Sequence, residues 1–376
     1  MRSSLRLGSV AGVPVGIHWS GLVIVGAVAA LLGISVLPVA APGLSPRSYW
    51  IAAVLTATVF FASLLAHELA HALVARGRGI KVKSVTLWML GGVTELDGEA
   101  PTPRAELEIS AAGPLTSLAI AVVAFGALVP LSGPRLLLVA LGWFALINAV
   151  LGVFNLLPAA PMDGGRILHA VLWWRYRDRA RADRATAKAG ERLSMALVGL
   201  GLAQMVFWSP IGGLWTVLIG WYLMGVGRIE GVVRMAKEGL RGLLVRDIMT
   251  PDPDTAPAWS DLQGFATSVG LLSRQGVFPV VDFSGAPVGS VSLDAIAALP
   301  PERRAATRVG ELARPIPAER LLAPDDPAER ILNCAAPRNE PVALVCEAGR
   351  VIGMVSGPDL ARILSQAALR GSTTAV

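Results

Sequence analysis

The chain has 376 residues, is 53% hydrophobic and only 16% charged, and carries a formal net charge of +6 with a pI near 9.9. Soluble globular domains average about 25% charged residues, so this balance excludes an ordinary soluble enzyme. It also excludes a disordered chain and, with 2 cysteines, a disulfide-stapled secreted domain.

In chain order, six stretches approach the roughly 20 apolar residues needed to cross a bilayer. They are 17–39, 50–75, 109–129, 136–156, 193–207 and 211–232, the fifth being short. Trp19, Trp50, Trp208 and Trp221 fall near the ends, where an amphipathic ring sits at headgroup level. Arg2, Arg6 and the run Ala27-Val28-Ala29 imitate a signal peptide, but the apolar run is too long for an h-region and reads as a retained span.

Basic residues then alternate between loops. Arg2, Arg6, Arg76, Arg78, Lys81, Lys83 and Arg104 share one side with the run from Arg166 to Arg192 and with Arg234, Lys237 and Arg241. The other side receives Arg47 and Arg135. The positive-inside rule therefore places both termini in the cytoplasm, and the arginines mark topology rather than a nucleic-acid partner.

The second span holds His67-Glu68-Leu69-Ala70-His71. Histidines at i and i+4 share one helix face, where both imidazoles reach one metal ion. The glutamate between them is placed to take a proton from a metal-bound water. Ionisable residues inside a span are costly and functional by default. A catalytic zinc needs a third protein ligand, for which Asp97, Asp163, His18 and His169 are candidates. Asp163 closes the segment Asn155-Leu156-Leu157-Pro158-Ala159-Ala160-Pro161-Met162-Asp163-Gly164-Gly165, whose prolines deny helical continuity. From spacing alone, Asp163 is either a ligand or the N-cap of the next helix. His18 reads as an interfacial anchor and His169 as structural.

These residues resemble the site-2 proteases, the intramembrane zinc metalloproteases of peptidase family M50. That family joins a histidine-glutamate-xx-histidine helix to a later asparagine-xx-proline-xx-proline-x-aspartate-glycine segment, matched here by His67–His71 and Asn155–Gly164. The resemblance implies one Zn2+ per chain on His67, His71 and Asp163, with Glu68 as general base and Asn155 near the bound peptide. It also implies that residues 82–95, read as two strands about Gly91 and Gly92, receive the substrate as an added strand. The small-residue stretch Ala111-Ala112-Gly113-Pro114-Leu115-Thr116-Ser117 is similar to one in the family and reads here as close helix packing.

After about Gly239 the composition turns soluble, and a repeat emerges. A shift of 64 residues superimposes Val245 on Val309, Pro251 on Pro315, Gly285 on Gly349 and Gly289 on Gly353. Each unit has a proline-marked opening, a helical stretch and two apolar strands about a turn. This resembles a tandem pair of cystathionine-beta-synthase (CBS) domains, regulatory modules that often bind adenine nucleotides. By that resemblance Ser292 and Asp294 in the first unit, and Ser356 and Asp359 in the second, are the contacts for ATP, ADP or AMP. Cys334 and Cys346 lack metal-ligand spacing.

The expected fold is a polytopic α-helical membrane protein of about six spans, with a short β-hairpin or sheet after the second, plus a C-terminal α+β tandem CBS pair. Expected boundaries are 1–238 for the membrane domain, 239–244 for a linker, 245–300 and 309–365 for the CBS units, and 366–376 for a flexible tail. The leading reading is a metalloprotease in the cell membrane, with multiple passes, that cuts a transmembrane protein substrate. It implies the lipid bilayer as surroundings, a homodimer formed through the CBS domains, and no nucleic acid. The alternatives are a CBS-regulated transporter or channel and a silent membrane scaffold.

Overall fold

The computed structural model describes residues 5–362 and Ser365, apart from Leu90, Leu131, Ala335, Arg338 and Asn339, so the expected tail at 366–376 lies outside the described residues. The chain divides into two compact units, up to Glu230 and from Gly231 onward.

The first unit opens with a hairpin that the hydropathy pattern conceals. Strands β1 (Leu5–Val10) and β2 (Val13–Ile17) pair antiparallel around Ala11-Gly12. Both turn residues have positive φ, 47° and 74°, the requirement of a two-residue turn that follows the twist of its strands. Helix α1 (Gly21–Ala40) contains a π-helical turn at Leu32–Val36. It packs through Leu32 and Leu37 on Tyr49 and Ala53 of α2 (Pro46–Gly77). Ser45 caps α2 by accepting a hydrogen bond from the Ser48 amide, and Pro46 supplies the fixed φ favoured at a helix start.

Strands β3 (Lys81–Trp88) and β4 (Gly91–Asp97) form the expected hairpin. β3 also pairs in parallel with β2, matching Val15 with Val85, which completes a four-stranded sheet ordered β1-β2-β3-β4. The sheet packs on α2 by burying Val13 and Val85 against Ala72.

Helices α3 (Pro103–Leu128) and α4 (Arg135–Asn155) follow, with Thr102 capping α3 at the Ala105 amide. Then come α5 (Asp163–Tyr176), α6 (Arg179–Phe207) and α7 (Pro210–Leu240). Among the described residues, α1, α2, α3, α4 and α7 are the 5 helices long and apolar enough to cross a membrane. The fifth expected span differs because it is not a separate helix. Its apolar residues are the second half of α6, whose first half carries Arg179, Arg181, Arg184, Lys188 and Arg192. That apolar half runs antiparallel to α7 at close range: a Cβ on Gly201 would lie 2.6 Å from the Val217 amide, and one on Gly220 2.8 Å from the Ser194 carbonyl. Small residues of this kind let two helices approach where lipid offers no hydrophobic drive.

The second unit contains the repeat as a structural fact. Its first hairpin, β7 (Val277–Val281) with β8 (Pro287–Ser292), is flanked by β6 (Ala256–Pro257) in parallel with β7. Its second, β10 (Ala343–Glu347) with β11 (Arg350–Val355), is flanked by β9 (Leu321–Leu322) in parallel with β10. The openings are exchanged. Strand β5 (Thr250–Pro251) of the first repeat pairs Thr250 with Met354, while Arg314 of the second pairs with Ser290. Both partners are displaced by the 64 residues of the repeat. Each repeat thus completes the other's sheet, and the two cores centre on Phe278 and Leu322.

Candidate metal centre

α2 carries His67 and His71 one turn apart, with ring centroids 5.0 Å apart. Asp163 is the first residue of α5, after the irregular segment that Pro158 and Pro161 enforce. Met162 stands at the N-cap without a side-chain cap bond, so Asp163 does not cap the helix. Its carboxylate reaches the imidazoles instead. Asp163 Oδ2 lies 3.4 Å from His67 Nε2 and 3.3 Å from His71 Nε2, and the two Nε2 atoms are 3.3 Å apart. Ligands about 2.0–2.1 Å from a tetrahedral zinc are separated by about 3.3–3.4 Å. Two imidazoles and a carboxylate in that triangle are a zinc donor set with a fourth position left for water, and they are the group of potential ligands found among the described residues.

The far side of each ring is held by α3. His71 Nδ1 donates to the Ile109 carbonyl at 2.7 Å. A carbonyl only accepts, so the proton sits on Nδ1 and the Nε2 lone pair faces the triangle. His67 Nδ1 is 2.9 Å from Ser117 Oγ, in a fully buried pair. Between them a Cβ on Gly113 would stand 2.2 Å from His71 Nε2 and 2.5 Å from His67 Nε2. Ile109, Gly113 and Ser117 recur every four residues on one face of α3. The stretch expected to serve packing alone therefore also shapes and orients the candidate metal centre.

Glu68 points to the sheet side of α2. Thr94 Oγ1 of β4 donates to its Oε2 at 2.8 Å. A Cβ on Gly92 would lie 2.0 Å from Glu68 Cγ, so only glycine lets β4 cross this side chain. Gly91 precedes it with φ of 128°. β4 is an edge strand, and its outer row of backbone groups is a template for another strand.

The remaining expected residues lie elsewhere. Asn155 ends α4 and donates to the Leu151 carbonyl at 3.0 Å; among the described residues no bond joins it to the triad. Asp97 pairs with Lys83 at 3.3 Å, and His18 Nδ1 with Ser20 Oγ at 2.8 Å. His169 is buried against Glu106 rather than near the triad. In the second unit Ser292 caps the helical turn Leu293–Ala297 at the Ala295 amide, a turn that also contains Asp294. Asp359 is enclosed by Thr250 Oγ1, Ser356 Oγ and Arg362. Gly113 and Ser117 lie in the small-residue stretch that the sequence reads as packing, whereas Thr94 and the Thr250 contact across the repeats are not singled out there. The contacts of Gly113, Ser117 and Thr250 depend on helix faces or strand exchange; Thr94 alone has a signal, as the inward neighbour of Gly92 in an alternating strand.

Comparison with known proteins finds relatives over most of the chain. The profile of Peptidase family M50 matches residues 55–140 and 135–199. A Mycobacterium tuberculosis protein named "Putative zinc metalloprotease Rip3" is 41% identical over 369 residues, covering 97% of this chain and 93% of the relative. The solved site-2 protease of Methanocaldococcus jannaschii is 27% identical and covers 60% of this chain and 94% of its own, with a TM-score of 0.40. The CBS domain of a bacterial CNNM/CorC family Mg2+ transporter, solved in complex with ATP, is 20% identical. It covers 36% of this chain and 96% of its own, with a TM-score of 0.31. The chain belongs to peptidase family M50 and is a membrane zinc metalloprotease of the site-2 type. This membership favours the protease over the transporter and the silent scaffold as the class of the whole chain.

Proposed function

We propose that this protein hydrolyses a peptide bond in or near a transmembrane segment of a membrane-bound substrate, as a step of regulated intramembrane proteolysis of a signalling or transcription regulator. The observation that carries the reading is the 3.3–3.4 Å triangle of His67, His71 and Asp163 beside Glu68 and the free edge of β4. His67, His71 and Asp163 would hold a zinc ion, which when bound would supply an acidified water and a Lewis acid for the peptide carbonyl. Glu68 Oε2, steadied by Thr94, accepts a proton from the attacking water and returns it to the leaving amine. Ile109 and Ser117 keep the two imidazoles turned toward the centre. The substrate adds to the β4 edge as a strand, which unwinds its helix and exposes one bond. Asn155, at the end of α4, contacts the bound peptide.

Both termini face the cytoplasm of a bacterial plasma membrane. The antiparallel pairing of α6 with α7 returns the chain to the side on which it began, consistent with the basic residues at each end. The CBS pair is the regulatory module: adenine nucleotide binds at Ser292 and Asp294 or at Ser356 and Asp359, and the pair supports a homodimer. In the second site the Asp359 carboxylate must first leave Thr250 and Ser356 to meet a ribose.

The test compares membrane peptides produced by the parent chain and by Glu68→Gln. The variant should retain zinc and lose cleavage. Retained cleavage in a zinc-loaded Glu68→Gln chain contradicts the mechanism.

A further inference from the structure

His169 lies on α5, the helix that Asp163 begins, and is only 2% exposed. Its Nδ1 lies 2.9 Å from Glu106 Oε2 and 3.0 Å from Oε1. Its Nε2 stands 3.3 Å from Asp183 Oδ1 on α6, an ion-pair separation without the alignment of a hydrogen bond. Glu106 sits in the first turn of α3, just ahead of Ile109. One imidazole therefore joins three helices, and two of them build the metal centre: α3 orients His67 and His71, and α5 presents Asp163. A turn farther along α5, Trp173 packs beside His169 with ring centroids 6.1 Å apart, under the Arg179 guanidinium at 5.0 Å.

We propose that His169 is a positioning residue, which fixes α5 against α3 through Glu106 and thereby holds the Asp163 carboxylate opposite the two imidazoles. The inference rests on the assignment of His67, His71 and Asp163 as zinc ligands. Asp163 has a single methylene between backbone and carboxylate, so its reach cannot absorb a slide of its helix. The segment before it, interrupted by Pro158 and Pro161, gives no continuous helix to transmit register from α4. Register must therefore come from where α5 docks. Apolar surfaces alone tolerate sliding, whereas a hydrogen bond between an imidazole and a carboxylate in a low-dielectric interior has one satisfied geometry. Carboxylates accept only, so Glu106 is a fixed acceptor for the Nδ1 proton.

The test uses the full chain in detergent and reads zinc affinity by competition with a chelator. A second readout is the visible absorption of the cobalt-substituted protein, which reports ligand geometry. His169→Leu and Glu106→Leu, which removes the acceptor, should each weaken zinc about tenfold, as loss of a group that orients metal ligands does, and should alter the cobalt spectrum. Because the two side chains act as one contact, the double variant Glu106→Leu/His169→Leu should lose no more than the worse single variant. His71→Ala, run alongside, must lose zinc; if it does not, the ligand assignment has failed rather than the role of His169. Unchanged zinc affinity and an unchanged cobalt spectrum in Glu106→Leu, or losses that multiply in the double variant, would overturn the proposal. If His169→Leu does not fold, Glu106→Leu alone decides it.

Discussion

Polar side chains carry different information in the two units. In the membrane unit most buried hydroxyls and amides only satisfy their own helix, as Thr56 and Ser194 do, but the buried ionisable groups lead to the candidate centre or its proposed support: His67 and His169 are each almost wholly enclosed. Burying such groups beside lipid is costly enough that their positions mark function. In the soluble unit, buried polar groups are routine parts of the fold. Arg320, only 4% exposed, donates to the Val342 and Pro341 carbonyls and pairs with Glu340 at 2.7 Å. Ser292 caps a helical turn, and Asp359 ties the first repeat's opening to the second repeat. A motif residue found buried and bonded therefore argues for a site in the first unit and for structure in the second.

Removing polar groups from each unit tests this contrast. The largest effect should come from Asp163→Ala, which takes away one of the three proposed ligands: the purified chain should contain no zinc by elemental analysis, with cleavage abolished. Zinc at full stoichiometry in that variant would move the centre elsewhere. Next, Arg320→Ala should destabilise the soluble unit by about 1–3 kcal/mol, because it leaves the Val342 and Pro341 carbonyls without their donor and Glu340 with Arg314 alone at 3.6 Å, while zinc content stays at the parent level. Chemical unfolding followed by a probe in that unit measures it. Gly113→Ala should weaken zinc by about 10–100-fold, the range found when groups behind metal ligands are disturbed, through the methyl group it forces against both Nε2 atoms. Chelator competition reads it. The smallest effect should be that of Ser292→Ala, about 1 kcal/mol of stability for a lost N-cap, with cleavage unchanged in the absence of nucleotide.

What the sequence revealed and what it hid follow the same division. His67, Glu68 and His71 were legible because their spacing repeats a helix turn and because charge is rare inside apolar runs, whereas spacing left Asp163 between ligand and N-cap and only the family resemblance favoured the ligand. The repeat was legible because its prolines and glycines recur at one interval, and strand exchange between Thr250 and Met354 and between Arg314 and Ser290 preserves that interval. The first hairpin was missed because Val13–Ile17 runs almost directly into α1, so alternation in β2 merges with a continuous apolar stretch. The role of Gly113 was missed because a small residue in a span serves packing as readily as clearance, and only the fold shows which face meets the imidazoles. The bond between His169 and Glu106 spans 63 residues of chain, and no local pattern announces it. α6 was read as a short span because its charged first half conceals that the helix is continuous.

The most direct test of the zinc centre is X-ray absorption at the zinc edge on the full-length protein purified in detergent. The account predicts one zinc per chain with only nitrogen and oxygen neighbours at about 2.0–2.1 Å and the outer-shell signature of two imidazoles, and no bound zinc in His71→Ala. A sulfur neighbour, a six-coordinate oxygen shell, or an imidazole signature unchanged in His71→Ala would contradict it.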